Sequence, residues 1–345
     1  MAITLQPVEP DYEGFLKTIR REGTPERVYY FEHGIAAEVQ DAVAGQHGLW
    51  DHISSDSPQA AWDRAAEVYR FLGHELFRVF PPGARLESPR LNQAWVNADT
   101  ARIDTRKDLE QLDWPSASDA DLSVLEYYEK KLPENMKVFH VLDIWEVVRD
   151  TMGFENVCVK LYDDPGLVSE MFNAVGGFVC SVAEACCDFD CFGAVYLSDD
   201  LGYKTSLMIS PDTVREYVMP WHKRVAEIAH RKNKLLFFHS CGQMYEMIDD
   251  YIDEVGIDAK HSFEEAVLPV IEAKRIYGDR LSLLGGMDVD FLARSSPSEI
   301  RQKTREILSV CQPGGGYCLG SGNWVTDYIP PENYLAMLDE ARTVG

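Results

Sequence analysis

The sequence predicts an α/β fold, specifically a (β/α)8 TIM barrel with an insertion after its second strand. Eight short apolar segments alternate with segments of helical pattern along the 345 residues, which is typical of a parallel sheet closed into a barrel. No Gly-x-Gly-x-x-Gly motif follows the first predicted strand, so the alternative, an open doubly wound sheet, lacks its usual nucleotide signal. We expect residues 1–345 to form a single barrel domain.

Each predicted strand is a short apolar run that ends in polar residues or glycine. A run without charge is typical of a strand buried on both faces, as the strands of parallel sheets are. The eight predicted strands are residues 28–31, 76–80, 138–142, 194–197, 235–241, 256–261, 281–286 and 316–320.

The predicted helices have recognisable starts. Ser57 and Ser210 each precede a proline, so they stand where an N-cap residue and a first-turn proline are favoured. Residues 296–299 have the pattern of a capping box, and Pro220 predicts a kink. The predicted helices cover residues 12–21, 60–72, 122–132, 211–230, 244–254 and 332–341, and others begin at residues 145, 165 and 297.

Two segments stand outside the βα alternation. A helical extension covers about residues 1–25, before the first strand. The insertion covers about residues 84–136, where residues 94–96 and 101–103 flank a turn-like segment and predict an antiparallel hairpin. An insertion at this position would lie over one end of the barrel.

Composition excludes some classes of partner. The chain is 46% apolar and its formal net charge is -24, which argues against a nucleic acid or an anionic membrane as partner. No apolar run is expected to reach membrane-spanning length, and no secretory leader opens the chain. The eight cysteines form no disulfide framework, so we expect a reducing, cytoplasmic location. A homodimer is left open.

Three residues at strand ends predict a zinc site. His239 and Cys241 are two positions apart, so both side chains project from the same side of the fifth strand. Cys318 lies at the end of the eighth strand, which is on the same rim of a barrel. Three such ligands with one open position are typical of catalytic zinc. The alternative is that these are ordinary buried cysteines and a core histidine.

Other polar and aromatic residues also fall at the predicted strand ends. Glu32 and Asp288 are candidates for a displaceable fourth ligand or a proton handler. The others are candidates for substrate binding, with capping or packing of loops as the alternative. These candidate substrate contacts are His33, Asp199, Asp200, Tyr203, Lys204, His261, Asn323 and Trp324.

Three segments resemble the uroporphyrinogen decarboxylase superfamily: residues 239–242, 284–288 and 319–323. Within that superfamily, the His-x-Cys pair and the later cysteine are similar to the zinc site of the corrinoid-linked methyltransferases. His239, Cys241 and Cys318 match that site position by position. The resemblance implies a zinc enzyme that moves a methyl group from a small methylated substrate to the cobalt of a corrinoid.

No Asp-x-His-x-x-Gly motif occurs, so the resemblance implies a separate corrinoid protein as partner. The aromatic residues at the strand ends favour an aryl methyl ether as the substrate, with O-demethylation as the reaction. One alternative is methyl transfer from a methylcorrinoid protein to a thiol.

Two further alternatives remain. One is decarboxylation without a metal, against which the acidic loop at residues 31–38 argues, because the decarboxylases have arginines there. The other is a zinc-stabilised carrier or sensor without turnover.

Overall fold

The computed structural model describes residues 3–55, 57–86, 103–112 and 114–344. Its strands are β1 Leu76–Arg78, β2 Lys137–Leu142, β3 Phe192–Ser198, β4 Leu235–His239, β5 Ala259–His261, β6 Ser282–Leu284 and β7 Tyr317–Cys318. The helices before β3 are α1 Tyr12–Ile19, α2 Ala37–His47, α3 Ala60–Leu72, α4 Arg106–Gln111, α5 Ser123–Lys131, α6 Trp145–Met152, α7 Phe154–Asp163 and α8 Pro165–Cys187. Those after β3 are α9 Pro211–Thr213, α10 Met219–Arg231, α11 Ile248–Asp250, α12 Val270–Tyr277, α13 Val289–Arg294, α14 Pro297–Cys311 and α15 Pro331–Val344.

The strands are parallel and follow one another in sequence order, β1 to β7, with helices in the connections. This confirms the predicted α/β class. Seven of the eight predicted strands are present among the described residues, and each begins or ends within a few positions of its predicted bounds. Pairing is in register, for example Tyr196 with Phe237 between β3 and β4 and Leu284 with Cys318 between β6 and β7.

The chain consists of two compact units, each assembled from segments that are distant in sequence. Unit 1 contains Met1–Arg78, Lys130–Phe139 and Asp258–Gly345. Unit 2 contains Val79–Glu129 and His140–Ile257.

In unit 1, the first predicted strand is an extended segment that pairs with β7. Tyr30 forms a parallel bridge with Leu319. The Phe31 N–H donates to the Leu319 carbonyl at 2.9 Å, and the Leu319 N–H donates to the Tyr29 carbonyl at 2.8 Å. The eighth predicted strand therefore lies beside the first, as closure of a barrel requires.

In unit 2, β3 and β4 form a buried parallel pair that α8 and α10 cover. Helix α8 has the length and hydropathy of a membrane span, and 61% of its most apolar segment is buried inside the protein. The expectation that no apolar segment reaches that length is therefore wrong for α8. Burial against the strands explains its apolar composition, since a core helix and a membrane helix share it.

The capping predictions are confirmed at two helices and wrong at one. The Ser296 hydroxyl accepts from the Glu299 N–H of α14, and the Glu299 carboxylate accepts from the Ser296 N–H at 2.8 Å. The Ser210 hydroxyl accepts from the Thr213 N–H at 3.1 Å. Ser57 does not cap α3, because its hydroxyl accepts from the Gln59 N–H before that helix begins.

Two predicted helices are irregular. A π-helical turn, Val214–Val218, precedes α10, where Pro220 lacks the N–H of a regular turn and its ring crowds the preceding turn. The segment predicted as a helix over residues 244–254 consists of a 3₁₀ turn, the short α11 and the π-helical turn Tyr251–Val255.

The predicted insertion lies between β1 and β2. It contains α4, the 3₁₀ turn Ala117–Asp119 and α5. Thr105 begins α4 with a capping box to Asp108. Of the residues in the predicted hairpin, only Ile103 is among those described, so the hairpin itself stays a prediction.

Candidate metal centre

The carboxyl ends of β3 and β4 lie side by side in unit 2. Ser198 is paired with His239, and the Asp199 N–H donates to the His239 carbonyl at 3.1 Å. Because the two strands are parallel and end together, residues 199–200 and residues 239–241 occupy the same edge of the sheet. Polar side chains from both strand ends therefore meet there.

Three potential ligand atoms converge at this edge. The Cys241 Sγ lies 3.4 Å from the His239 Nε2, and the same Nε2 lies 3.5 Å from the Asp200 Oδ1. All three atoms lie within 4.8 Å of one another. A tetrahedral zinc ion, with sulfur at about 2.3 Å and nitrogen at about 2.0 Å, holds its ligand atoms about 3.5 Å apart. The residues of unit 2 therefore fit a zinc ion.

The ring of His239 is held by Tyr196 on β3. The Tyr196 hydroxyl lies 3.0 Å from the His239 Nδ1, and both side chains are buried. When Nδ1–H donates to the phenolic oxygen, Nε2 carries a lone pair directed toward Cys241 and Asp200. This is the support that metal-binding histidines usually receive through their other ring nitrogen.

Backbone hydrogen bonds fix the loop that carries Cys241. The Cys241 N–H donates to the Asp200 carboxylate at 2.7 Å, and the Leu201 N–H donates to the Ser240 hydroxyl at 3.0 Å. Gly242 has φ +72°, and a Cβ there would lie 2.3 Å from the Gly202 carbonyl oxygen. The close approach of the two loops therefore requires glycine at this position.

Asp199 lies inside unit 2 and does not reach its surface. Its carboxylate accepts from the Ile144 and Glu146 N–H groups at the start of α6, at 3.0 and 2.9 Å, and lies 2.7 Å from the His222 Nε2. The His222 Nδ1 lies 2.9 Å from the Tyr251 hydroxyl. Burial would raise the pKa of Asp199, but the hydrogen bond and charge of His222 and the backbone hydrogen bonds hold it below its usual value.

Tyr203 and Lys204 lie in the exposed loop that follows Asp200. The Tyr203 N–H donates to the Ser206 carbonyl at 2.7 Å, and its ring packs edge-on against Phe154 at 6.3 Å between ring centroids. Both residues are therefore on the same loop as the candidate ligand Asp200.

The remaining candidates lie in unit 1, where Glu32 is fully buried. Its carboxyl group accepts from the Ser321 N–H at 2.9 Å and also pairs with the Ser321 hydroxyl. Burial raises the pKa of Glu32 to about 8, although these hydrogen bonds oppose the shift. Glu32 is thus mostly protonated at neutral pH, so it brings little negative charge to the first loop. A protonated Glu32 would not repel an anionic substrate, so the charge of this residue does not argue against a decarboxylase.

His33, His261 and Trp324 form an aromatic cluster in unit 1. The two imidazole rings are stacked at 6.0 Å, and Trp324 meets His33 edge-on at 5.3 Å. The guanidinium of Arg78 lies 5.4 Å from the Trp324 ring centroid and 3.3 Å from the His33 Nε2. These predicted substrate contacts are therefore brought together.

Asp288, Asn323 and Cys318 occupy other positions in unit 1. Asp288 caps α13, because its carboxylate accepts from the Phe291 N–H at 2.9 Å. The Asn323 carbonyl accepts from the Ser321 hydroxyl at 3.3 Å. Cys318 is fully buried at the end of β7, and burial raises the pKa of its thiol. Its role as a zinc ligand stays a prediction from the sequence.

The sequence reasoning missed the polar partners of two site residues. Tyr196 lies within the fourth predicted strand, and no sequence pattern indicated that its hydroxyl group contacts His239. His222 lies on α10 and contacts Asp199, and no sequence pattern distinguishes it from a histidine on a helix surface. Asp200, a predicted substrate contact, lies beside the candidate ligand His239, and its role in substrate binding stays a prediction.

Comparison with known proteins places these observations in a family context. The family model described as Uroporphyrinogen decarboxylase (URO-D) matches residues 96–344. The methylated-thiol–coenzyme M methyltransferase of Methanosarcina mazei is 25% identical over 315 residues, which cover 88% of this chain and 81% of that protein.

Two further relatives match shorter segments. The methylcobamide:CoM methyltransferase of Methanosarcina barkeri is 27% identical over 131 residues, which cover 38% of this chain and 36% of that protein. The uroporphyrinogen decarboxylase of Thioalkalivibrio sulfidiphilus is 24% identical over 207 residues, which cover 56% of this chain and 53% of that enzyme.

A solved structure has the same fold. It is described as a methyltransferase from Methanosarcina mazei, and the match has a TM-score of 0.68 at 17% identity, covering 98% of this chain and 99% of that one. Together with the family model, this likeness confirms the predicted barrel class.

Proposed function

This chain belongs to the uroporphyrinogen decarboxylase (URO-D) family, and we propose that it is a zinc-dependent methyltransferase that works with a separate corrinoid protein. The convergence of Cys241, His239 and Asp200 at the ends of two adjacent strands carries the proposal. The methyltransferase among its relatives that matches 88% of this chain supports it.

His239 and Cys241 would hold the zinc ion, with Cys318 as the third protein ligand predicted from the sequence. A zinc ion held by these ligands would act as a Lewis acid at the heteroatom that carries or receives the methyl group. The residues around the site have supporting roles: Tyr196 fixes the ring of His239, and Asp199 anchors the strand end beside it.

The proposed methyl donor is a small methylated molecule, and the proposed acceptor is the cobalt of the corrinoid partner. An aryl methyl ether is the proposed donor because aromatic residues follow several of the predicted strands, and aromatic rings offer faces and edges for stacking. O-demethylation is then the reaction. Among the relatives, one is named for methylcobamide, which is a methylated corrinoid.

The second candidate function is methyl transfer involving a sulfur compound. Both methyltransferase relatives are named for coenzyme M, which is a thiol, and one is also named for methylated thiols. Cysteine-bound zinc suits sulfur substrates, because it stabilises a bound thiolate at neutral pH.

One experiment separates these functions and tests the proposal. The purified zinc-loaded protein is mixed with reduced cobalamin and either an aryl methyl ether or a methylated thiol, and formation of methylcobalamin is followed by its absorbance. The reverse assay supplies methylcobalamin and a thiol. We expect methyl transfer with the aryl ether, and transfer only with sulfur compounds would favour the second candidate.

A decarboxylase control completes the experiment. If uroporphyrinogen is decarboxylated at full rate after zinc is removed and no methyl transfer occurs, the methyltransferase proposal is wrong. The uroporphyrinogen decarboxylases among the relatives make this control necessary.

A further inference from the structure

Asp200 lies beside the candidate zinc ligands His239 and Cys241 of unit 2. Resting on the proposed function, we propose that Asp200 is the exchangeable ligand of this site. It would bind the metal in the resting protein and yield its place when the heteroatom of the substrate arrives.

The position of the carboxylate is the first support. The Asp200 Oδ1 lies 3.5 Å from the His239 Nε2, and a carboxylate oxygen of Asp200 is within 4.8 Å of the Cys241 Sγ as well. A single ion can therefore contact all three atoms without movement of either strand end. Carboxylate oxygen joins imidazole nitrogen and thiolate sulfur among the ligands that zinc accepts.

Solvent exposure is the second support. The side chain of Asp200 is 30% exposed, whereas that of His239 is 6% exposed. A molecule entering from solvent would therefore reach the carboxylate before the imidazole. The ligand on the accessible side of an ion is the one that an incoming group can displace without opening the core.

Glu32 and Asp288, the two fourth-ligand candidates from the sequence, have hydrogen-bond partners within unit 1. Glu32 is fully buried and hydrogen-bonded to Ser321. Asp288 caps α13 through the Phe291 N–H. Both carboxylates are therefore already hydrogen-bonded within unit 1.

A hydrogen bond from the Cys241 N–H would hold the Asp200 carboxylate after its displacement from the metal. The N–H donates to the Asp200 Oδ1 at 2.7 Å, so the carboxylate can keep this hydrogen bond after it leaves the metal. In the exchange, the bond from the metal to Oδ1 would break as a bond from the metal to the substrate heteroatom forms. A thiol would release its proton to solvent as it binds in the thiolate form.

The test compares wild-type protein with Asp200→Ala, Asp200→Asn and the control Asp212→Asn. Asp212 is a matched acidic residue of unit 2 whose side chain is 95% exposed. Zinc affinity is measured by competition with a chromophoric chelator, and the ligand atoms are identified by X-ray absorption of the zinc-loaded proteins. Circular dichroism and urea unfolding check that each variant is folded.

We expect Asp200→Ala to lower zinc affinity about 10- to 100-fold, as loss of a supporting or direct contact does at zinc sites, and to remove one oxygen neighbour from the absorption spectrum. Asp200→Asn keeps an oxygen that can accept from the Cys241 N–H, but an amide is a poorer zinc ligand than a carboxylate. We therefore expect zinc affinity to fall in this variant as well. Asp212→Asn should match the wild type.

Exchange is tested with coenzyme M as the thiol probe. In the wild type, the probe should add one sulfur neighbour to the zinc and remove one oxygen neighbour. In Asp200→Ala it should bind more tightly, because no carboxylate competes for the position. Wild-type affinity and spectrum in Asp200→Asn, with a loss confined to Asp200→Ala, would mean that Asp200 only caps the Cys241 N–H, and the inference would be overturned.

The outcome is distinguishable from failure of the proposed function. Zinc binding that depends on Asp200, without methyl transfer to or from cobalamin, would overturn the methyltransferase proposal and leave the ligand assignment standing. Methyl transfer, together with a zinc affinity in Asp200→Ala equal to that of the wild type, would overturn the ligand assignment alone.

Discussion

The hydroxyl group of Tyr196 lies 3.0 Å from the Nδ1 atom of His239. The two residues are on neighbouring parallel strands, and both are buried. This contact sets which ring nitrogen of His239 faces Cys241, because the hydrogen bond at Nδ1 leaves Nε2 directed toward the Cys241 Sγ.

Replacement of Tyr196 by phenylalanine should therefore weaken zinc binding. The ring stays in place but loses the hydroxyl that orients His239, and such losses commonly lower metal affinity about 10- to 100-fold. Chelator competition measures the change. The matched control is Tyr162→Phe, since Tyr162 is 88% exposed on α7. Equal zinc affinity in Tyr196→Phe and the wild type would contradict a supporting role for Tyr196.

Replacement of the predicted cysteine ligands should remove the metal. We expect about one zinc per chain in the wild type and little in Cys241→Ala or Cys318→Ala, because each loses a thiolate ligand. Elemental analysis gives the zinc content. Cys158→Ala is the control, since Cys158 is a free and partly exposed cysteine on α7. Full zinc content in Cys318→Ala would restrict the ligand set to unit 2.

Removal of zinc separates a catalytic site from a structural one. The loop that carries Cys241 is held by hydrogen bonds from the Cys241 N–H to the Asp200 carboxylate and from the Leu201 N–H to the Ser240 hydroxyl, so we expect the protein to keep its fold without the ion. Circular dichroism before and after treatment with a strong chelator checks this. A large loss of helix signal would favour the zinc-stabilised carrier instead, because structural zinc contributes its binding energy to folding.

The fold was predictable because most of its elements have local signals. Apolar runs without charge marked the strands, and Ser296 with Glu299 marked the start of α14. The first predicted strand is an exception among the eight, because Tyr30 makes a single isolated bridge to Leu319 and is not part of a longer strand. Its contacts depend on a residue almost 300 positions later in the chain, and such contacts leave no local pattern.

The candidate site was only partly predictable, for a physical reason. His239 and Cys241 lie on one strand, so the two-residue period of a strand was enough to place them together. The contact between His239 and Asp200 depends instead on the register of β3 against β4, which pairs Ser198 with His239. Register follows from packing of the whole sheet, so the sequence alone did not indicate that Asp200 lies beside His239.

Replacement of Asp199 by asparagine should destabilise the protein. The carboxylate accepts from two N–H groups at the start of α6 and pairs with His222, and an asparagine amide cannot accept at both oxygen positions. We expect a loss of about 2–3 kcal/mol in the free energy of unfolding, the scale of buried hydrogen bonds to a charged group. Urea unfolding measures the loss, with Asp212→Asn as control. A change below about 0.5 kcal/mol, typical of surface substitutions, would contradict this role.

The stability of Glu32→Gln relative to that of the wild type should increase as the pH rises. Burial raises the pKa of Glu32 from 4.5 to about 8. Between these values the folded protein binds a proton that the unfolded chain has released, so wild-type stability falls with increasing pH, by at most about 1.4 kcal/mol per pH unit. Glutamine resembles the protonated acid and does not titrate.

The free energy of unfolding of Glu32→Gln minus that of the wild type should therefore increase from about pH 4.5 to about pH 8 and stay constant above that range. Urea unfolding of both proteins across this range gives the difference. Glu75 and Glu146, whose pKa values burial also raises to about 8, are present in both proteins, so their contributions cancel. A difference independent of pH would mean that Glu32 is ionised in the folded protein, with a charge that its buried contacts to Ser321 satisfy.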